Sequence, residues 1–249
     1  MGTTPSRYDD LSKNNCLERF CSNESIGPGD SFWSQFLSFN VRPPVTRNDQ
    51  IELDSRLDGM CQKLLQNNLT TGNFGSLIQV TLIRSSELLA SVTNQNIMSA
   101  WQTYNALFAV RCVLKYLVET VGEMEMIKHA EAQPSILKNE ENSREMMRLE
   151  SLFEALIEIL IDVPICEFTY VVHLEAVNCL LVLLSVQLFS QTPAEYSTVY
   201  RIFMNHEASI NAPVIICTLL NNFVRQDDPP SGLLAKGEAG GGSIVFSIA

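Results

Sequence analysis

The stretch WQTYNALFAVRCVLKYLVETV, Trp101 to Val121, decides the fold. Its apolar residues recur at intervals of three and four over a window longer than any ordinary strand, and they cover nearly every side of the helix this spacing predicts. A helix that is apolar all round has to be enclosed by others, so this one, running from about Asn94 to Val121, is predicted to be central. The flanking sequence keeps the same period. Gln50 to about Asn67 sets Ile51, Leu53, Leu57, Met60, Cys61, Leu64 and Leu65 on one stripe, and Phe74 to about Val92 follows the turn NNLTTGN. Further on, Ser143 caps a helix that Pro164 stops, Phe168 to Phe189 forms another, and two shorter ones centre on Ala194–Met204 and Pro213–Arg225. Upstream, Asp30 caps a short amphipathic segment with Phe32, Phe36 and Phe39 at helical spacing. Gly122 to Asn142 is charged and poorly periodic and reads as a connection.

These elements predict an all-α fold: an antiparallel helical array, α-solenoid-like or an irregular bundle, with flexible N-terminal and C-terminal segments. The solenoid is preferred, although no self-similar period names a repeat. The chain divides into an N-terminal segment (1–29), a helical domain (30–226) and a Pro/Gly-rich linker (227–249) that finishes on the apolar run SIVFSIA.

With 249 residues, 46% of them hydrophobic, the chain can bury a sizeable core. Its 17 Lys and Arg against 28 Asp and Glu leave a net charge of -11, which repels a phosphate backbone and argues against nucleic acid as a partner. The seven cysteines hold no C-x-x-C pair and fall largely inside apolar helical runs, as reduced core thiols do. No apolar h-region occurs in the first thirty residues, so no secretory signal is read there and the chain is placed on the cytosolic side. The run Val171 to Phe189 approaches membrane-spanning length, but His173, Glu175, Asn178 and Gln187 interrupt it, and a helix buried in protein is predicted instead.

Catalytic chemistry finds little footing. His129, His173 and His206 stand outside any metal-binding spacing, and His173 reads as a satisfied core histidine near Glu175. Gly240, Gly241 and Gly242 are followed by Ser243 and Ile244 rather than Lys-Ser or Lys-Thr, so no phosphate loop is predicted. Gln102 and Asn105 on the central helix would need hydrogen-bond partners if buried. Glu140 with Arg144, and Glu145 with Arg148, read as pairs on a solvated helix face. No catalytic residue, cofactor, metal or small-molecule substrate is assigned.

The start, MGTTPS, is different. Gly2 after the initiator Met, small Thr3 and Ser6 give the order M-G-x-x-x-[ST] read by N-myristoyltransferases. The order alone recurs in roughly one protein in a hundred at ordinary Gly frequency, so context has to weigh it. Residues 1–20 hold Arg7, Lys13 and Arg19 against Asp9, Asp10 and Glu18, three against three, and supply no polybasic patch beside the lipid. Cys16 and Cys21 are the thiols that a second acyl group would use, with ordinary free thiols as the simpler reading.

Taken in order, the strings DSFWSQFLSF, TGNFGSLI, WQTYNALF, LIDVPICEFTYVVHLEAVNCLLVLLSVQLF and NFVRQDDPP, after the MG start, resemble the dymeclin family, which is related to the Hid-1 group. The resemblance covers nearly the whole chain, and members of that family are longer, so it implies a truncated product, a partial gene model or an isoform. It further implies a peripheral membrane protein moving between the cytoplasm and the cytosolic face of the Golgi apparatus, needed for Golgi organisation and vesicle traffic. Gly2 would be the myristoylated glycine and Ser6 part of its recognition. Expected partners are the membrane, held weakly and reversibly through the acyl group, and Golgi proteins. The resemblance implies no enzymatic activity. The alternative is a purely cytosolic helical interaction scaffold without lipidation. If the helices stack, an array ending here is expected to expose an apolar end face and to be poorly soluble.

Overall fold

A computed structural model describes residues 14–41, 43–44, 46–91, 97–133, 147–190, 193–205 and 207–225. The described residues form ten α-helices and no β-strand. These are α1 (Asn15–Phe20), α2 (Phe32–Phe36), α3 (Arg47–Thr71), α4 (Asn73–Ser91), α5 (Ile97–Thr120), α6 (Glu123–Ala130), α7 (Arg148–Asp162), α8 (Tyr170–Leu184), α9 (Thr198–Asn205) and α10 (Glu207–Arg225). Short 3₁₀ turns follow α8 and precede α9.

The helix predicted to be central is central. Ala100, Tyr104, Ala106, Leu107, Val110 and Leu114 of α5 are all but inaccessible, and α5 packs against α3, α4, α6 and α8. Contacts between α4 and α5, α5 and α8, α8 and α7, and α7 and α4 close a ring of four. Such a ring is equally that of two stacked helical hairpins and of a bundle core, so it fits both predicted arrangements; α3 and α10 lie outside it. Nearly all of the buried apolar residues belong to one continuous core.

Local chemistry sets the joints. A capping box starts α3: the Thr46 hydroxyl accepts from the Asp49 N–H, and the Asp49 carboxylate accepts from the Thr46 N–H. The sequence reading began this helix at Gln50 and ended it at Asn67. It runs on to Thr71 and stops at Gly72, whose φ of 68° closes the last turn with a hydrogen bond to Asn68. A second glycine at positive φ, Gly122 at 78°, breaks α5 from α6, in the span read as a connection. α6 exists because Met126 and Ala130 are fully buried, against a sequence too polar to show a stripe. Asp30 acts as predicted, its carboxylate accepting from the Phe32 N–H at 2.7 Å. The helix expected to start at Pro213 begins six residues earlier and carries the proline inside it. Residues 14–29, grouped in the sequence reading with the N-terminal segment, pack into the core through Phe20, Cys21 and Ile26.

By length and composition, Tyr170–Leu188 is apolar enough to cross a membrane. In the structure its Val172, Ala176, Cys179 and Leu183 are buried, and it packs on α5 and α7. Of the N-terminal and C-terminal segments expected to be flexible, residues 1–13 and 227–249 lie outside the described ones.

Candidate functional site

Two apolar features stand out: a groove beside the first described residues and an open helix face at the other end of the chain. The groove arises because one residue of α4 holds the N-terminal hook in place. Buried Asn73 donates from Nδ2 to the carbonyls of Phe20 and Glu24, and its Oδ1 accepts from the Ile26 N–H. The Trp33 indole N–H donates to the Gly27 carbonyl at 2.8 Å, and Phe20, Trp33, Phe32 and Phe36 pack ring against ring. Asn105 on α5 holds the next turn by donating to the carbonyls of Leu37 and Phe39. So α1 and α2 lie over α3 and α5 without closing on them. Between them runs a shallow groove lined by Leu17, Phe20, Phe39, Leu57, Met60 and Ala109 among others, with a cavity volume of about 50 Å³. Asn14, where description of the chain begins, is its one polar wall residue.

Three thiols, Cys21, Cys61 and Cys112, also line the groove. Burial pushes Cys21 and Cys112 up to about 12 and Cys61 higher still, so all three stay protonated and count as apolar surface rather than as nucleophiles. Cys21 is sealed in the core, which removes it as an acylation site; Cys16 is half-buried. The described cysteines are all free, and no group of three or more His, Cys, Asp or Glu residues placed to hold a metal occurs among the described residues.

The open face belongs to α10, which carries apolar residues on its outer side as well as toward the protein. The stripe turned to the protein is Asn211, Ala212, Ile215, Thr218 and Asn222, of mixed polarity, with Ile215 packed on Ile157 of α7. Outward stand Ile210, Val214, Ile216, Leu220, Phe223 and Val224, Phe223 being 74% and Val224 76% exposed. Apolar groups on the wet side of a helix mark a contact that the described residues do not make.

His173 is a buried core histidine, but only one of its two ring nitrogens is partnered, so it is half satisfied rather than fully so. Its Nε2 lies 2.9 Å from the Val163 carbonyl, and Nδ1 has no partner among the described residues. Its neighbour in sequence, Glu175, faces elsewhere, forming a buried ion pair with Arg111 of α5 at 2.6 Å. Burial works against the Arg111 charge, and Glu175 more than offsets it, so the guanidinium stays charged. That pair was missed in the sequence, where the signal was Arg111 within the apolar run of α5 and Glu175, of opposite sign, as the one Asp, Glu, Lys or Arg of α8. His129 is buried as well, its Nδ1 accepting from the Asn68 amide, whose Oδ1 takes the Phe74 N–H. Asn105 is buried and partnered, and Gln102 is half-buried. Arg148 does not sit on a solvated face with Glu145: its side chain is 13% exposed and reaches the Glu131 carbonyl and carboxylate, while Glu131 also accepts the Arg148 and Leu149 N–H groups that start α7. Gly2, Ser6, His206, Glu140, Arg144, Glu145, Gly240, Gly241 and Gly242 lie outside the described residues.

By fold the described residues define an all-α protein, with protonated thiols along one groove and an open apolar face on α10. The chain belongs to the dymeclin family, whose profile, described as "Dymeclin: Dyggve-Melchior-Clausen syndrome protein", covers residues 1–249. It is 37% identical to Dymeclin of Drosophila pseudoobscura pseudoobscura over 281 residues, spanning all of this chain and 39% of that protein. To Dymeclin of Xenopus laevis it is 34% identical, and to that of Mus musculus 32%, each over 251 residues covering all of this chain and 37% of the relative. The chain therefore spans less than two fifths of the length of these curated relatives. No solved structure matches it.

Proposed function

We propose that the chain is part of a peripheral, N-myristoylated helical scaffold of the Golgi apparatus, needed for Golgi organisation and vesicle traffic through protein and membrane binding rather than catalysis. The observation that carries the binding reading is α10, which packs on the protein through Ile215 and leaves a row of large apolar side chains outward. Family membership supports the Golgi assignment, and the MGTTPS start supports acylation of Gly2 with Ser6 in the recognition sequence.

One myristoyl chain binds membrane with a constant of about 10⁴ M⁻¹, too weak to hold a protein there alone. The balanced charge of residues 1–20 adds nothing to it. The lipid thus samples the cytosolic face of the membrane, and a Golgi protein supplies address and dwell time. Membrane fractionation and imaging of Gly2→Ala test the lipid: loss of Golgi recruitment is expected, and unchanged recruitment overturns its part. Leu220→Asp tests the protein contact, with a shortened Golgi dwell expected; an unaltered dwell overturns the role of α10.

A further inference from the structure

We infer that the outer face of α10 is a self-association surface, through which two copies of this chain pair about a two-fold axis, α10 against α10. This rests on the reading of α10 as a protein contact and names its partner. Charge, area and shape lead to it. From Ile210 to Val224 the helix holds no Asp, Glu, Lys, Arg or His, and among the exposed residues of that stretch Asn221 alone carries a polar amide. Such a face has nothing with which to select a charged partner, and it lets two chains of net charge -11 meet where neither is charged. A Val, Ile, Leu or Phe side chain brings on the order of 100 Å² of apolar surface. Ile210, Val214, Ile216, Leu220, Phe223 and Val224 are all exposed and so present roughly 600 Å², the upper end of the patch found on an ordinary monomer. Set against its own copy, that patch buries about 1,200 Å² in total, the lower edge of specific interfaces, which suits a weak and reversible dimer.

Shape favours the face itself over another part of the surface. The apolar groove beside α1, at about 50 Å³, has room for a few water molecules and none for these side chains. A head-to-tail contact therefore lacks a socket there, and a face paired with itself closes instead of growing into a fibre. Cys217 is exposed and is the midpoint of Ile210–Val224, with Leu220 on the next turn of the same side. A pairing centred on the face thus sets Cys217 of one copy against Cys217 of the other, whether the helices run parallel or antiparallel. Each copy also brings the acyl group proposed for Gly2. The pair carries two, and gains by avidity the second membrane signal that the charges of residues 1–20 do not supply.

The test uses the whole chain without acylation, so its outcome is independent of Gly2. In sedimentation velocity the 27.8 kDa monomer is expected to give way to a species of twice that mass as concentration rises. Added salt is expected to favour the dimer by screening the repulsion between two acidic chains. A short bis-maleimide is expected to cross-link wild type through Cys217, and Cys217→Ser is expected to lose that product. Leu220→Asp, a change at an exposed position, is expected to weaken association about tenfold or more. A chain that stays monomeric at every concentration overturns the inference, as does an open series of larger species, a dimer without a Cys217 cross-link, or unchanged association of Leu220→Asp. In a monomer, Cys217 open to maleimide leaves the face to a different protein or a neutral membrane, and Cys217 shielded from it gives the face to another part of the same chain; both overturn the pairing. If wild type is monomeric while Leu220→Asp still shortens Golgi dwell, the contact proposed for α10 stands and only its partner falls.

Discussion

Single residues differ in what they show before folding, and the Arg111–Glu175 pair marks the difference. Each charge was visible inside an apolar helix, yet their meeting depends on the rotation of α5 against α8, which periodicity does not set when a helix is apolar all round. Both side chains are essentially without solvent, at 5% and 1% exposure, so removing one strands the other. Glu175→Ala is expected to lower unfolding free energy by about 3–5 kcal/mol in urea titration, whereas replacing both with methionine is expected to recover most of it, since a buried pair gains little over well-packed apolar groups. Gly75, in the string TGNFGSLI, is a second case. A Cβ built there would stand 2.5 Å from the Ala132 carbonyl oxygen, backbone that cannot move aside cheaply. Gly75→Ala is therefore expected to destabilise by about 1–3 kcal/mol, despite its better helix propensity, and thermal unfolding checks it.

Elements were legible in proportion to their apolar stripe. The helices now seen as α3, α4, α5, α7 and α8 were located because ten or more residues repeat one pattern, while α1 (NCLERF) and α6 (EMEMIKHA) are both short and charged and lack the apolar stripe by which the equally short α2 and α9 were found. They hold through tertiary bonds instead, Asn73 gripping the end of α1 and its following turn, and Asn68 gripping His129 of α6. On α10 the pattern was legible but its direction was not: an amphipathic helix announces an apolar face, and nothing in its sequence says whether that face looks in or out. Because Phe223 and Leu220 touch so little, Phe223→Glu with Leu220→Glu is expected to change stability by no more than about 0.5 kcal/mol per site. The same change is expected to raise solubility and abolish concentration-dependent association in sedimentation velocity. A large loss of stability would instead place that face in the core.

For the whole molecule, the two buried histidines link the bundle to pH. His129 ties α6 to α3 and His173 ties α8 to the turn after α7, each as neutral imidazole: Nδ1 of His129 accepts from Asn68, and Nε2 of His173 meets the Val163 carbonyl. Burial lowers both pKa values, outweighing nearby Glu125 at His129 and the Val163 carbonyl at His173. In the unfolded chain an imidazole titrates near 6.5. Between that value and the lower folded values the unfolded state binds more protons, so stability rises with pH in that window. The contribution is complete above about 6.5 and is lost as pH falls through the folded values. Urea midpoints measured from pH 7 to pH 5 are thus expected to fall more steeply for wild type than for His173→Gln, whose amide still donates to Val163 but carries no titrating group. Parallel curves would mean that the imidazole takes its proton without disturbing the packing of α7 on α8, and that the turn at Val163 accommodates a charge the buried geometry otherwise forbids.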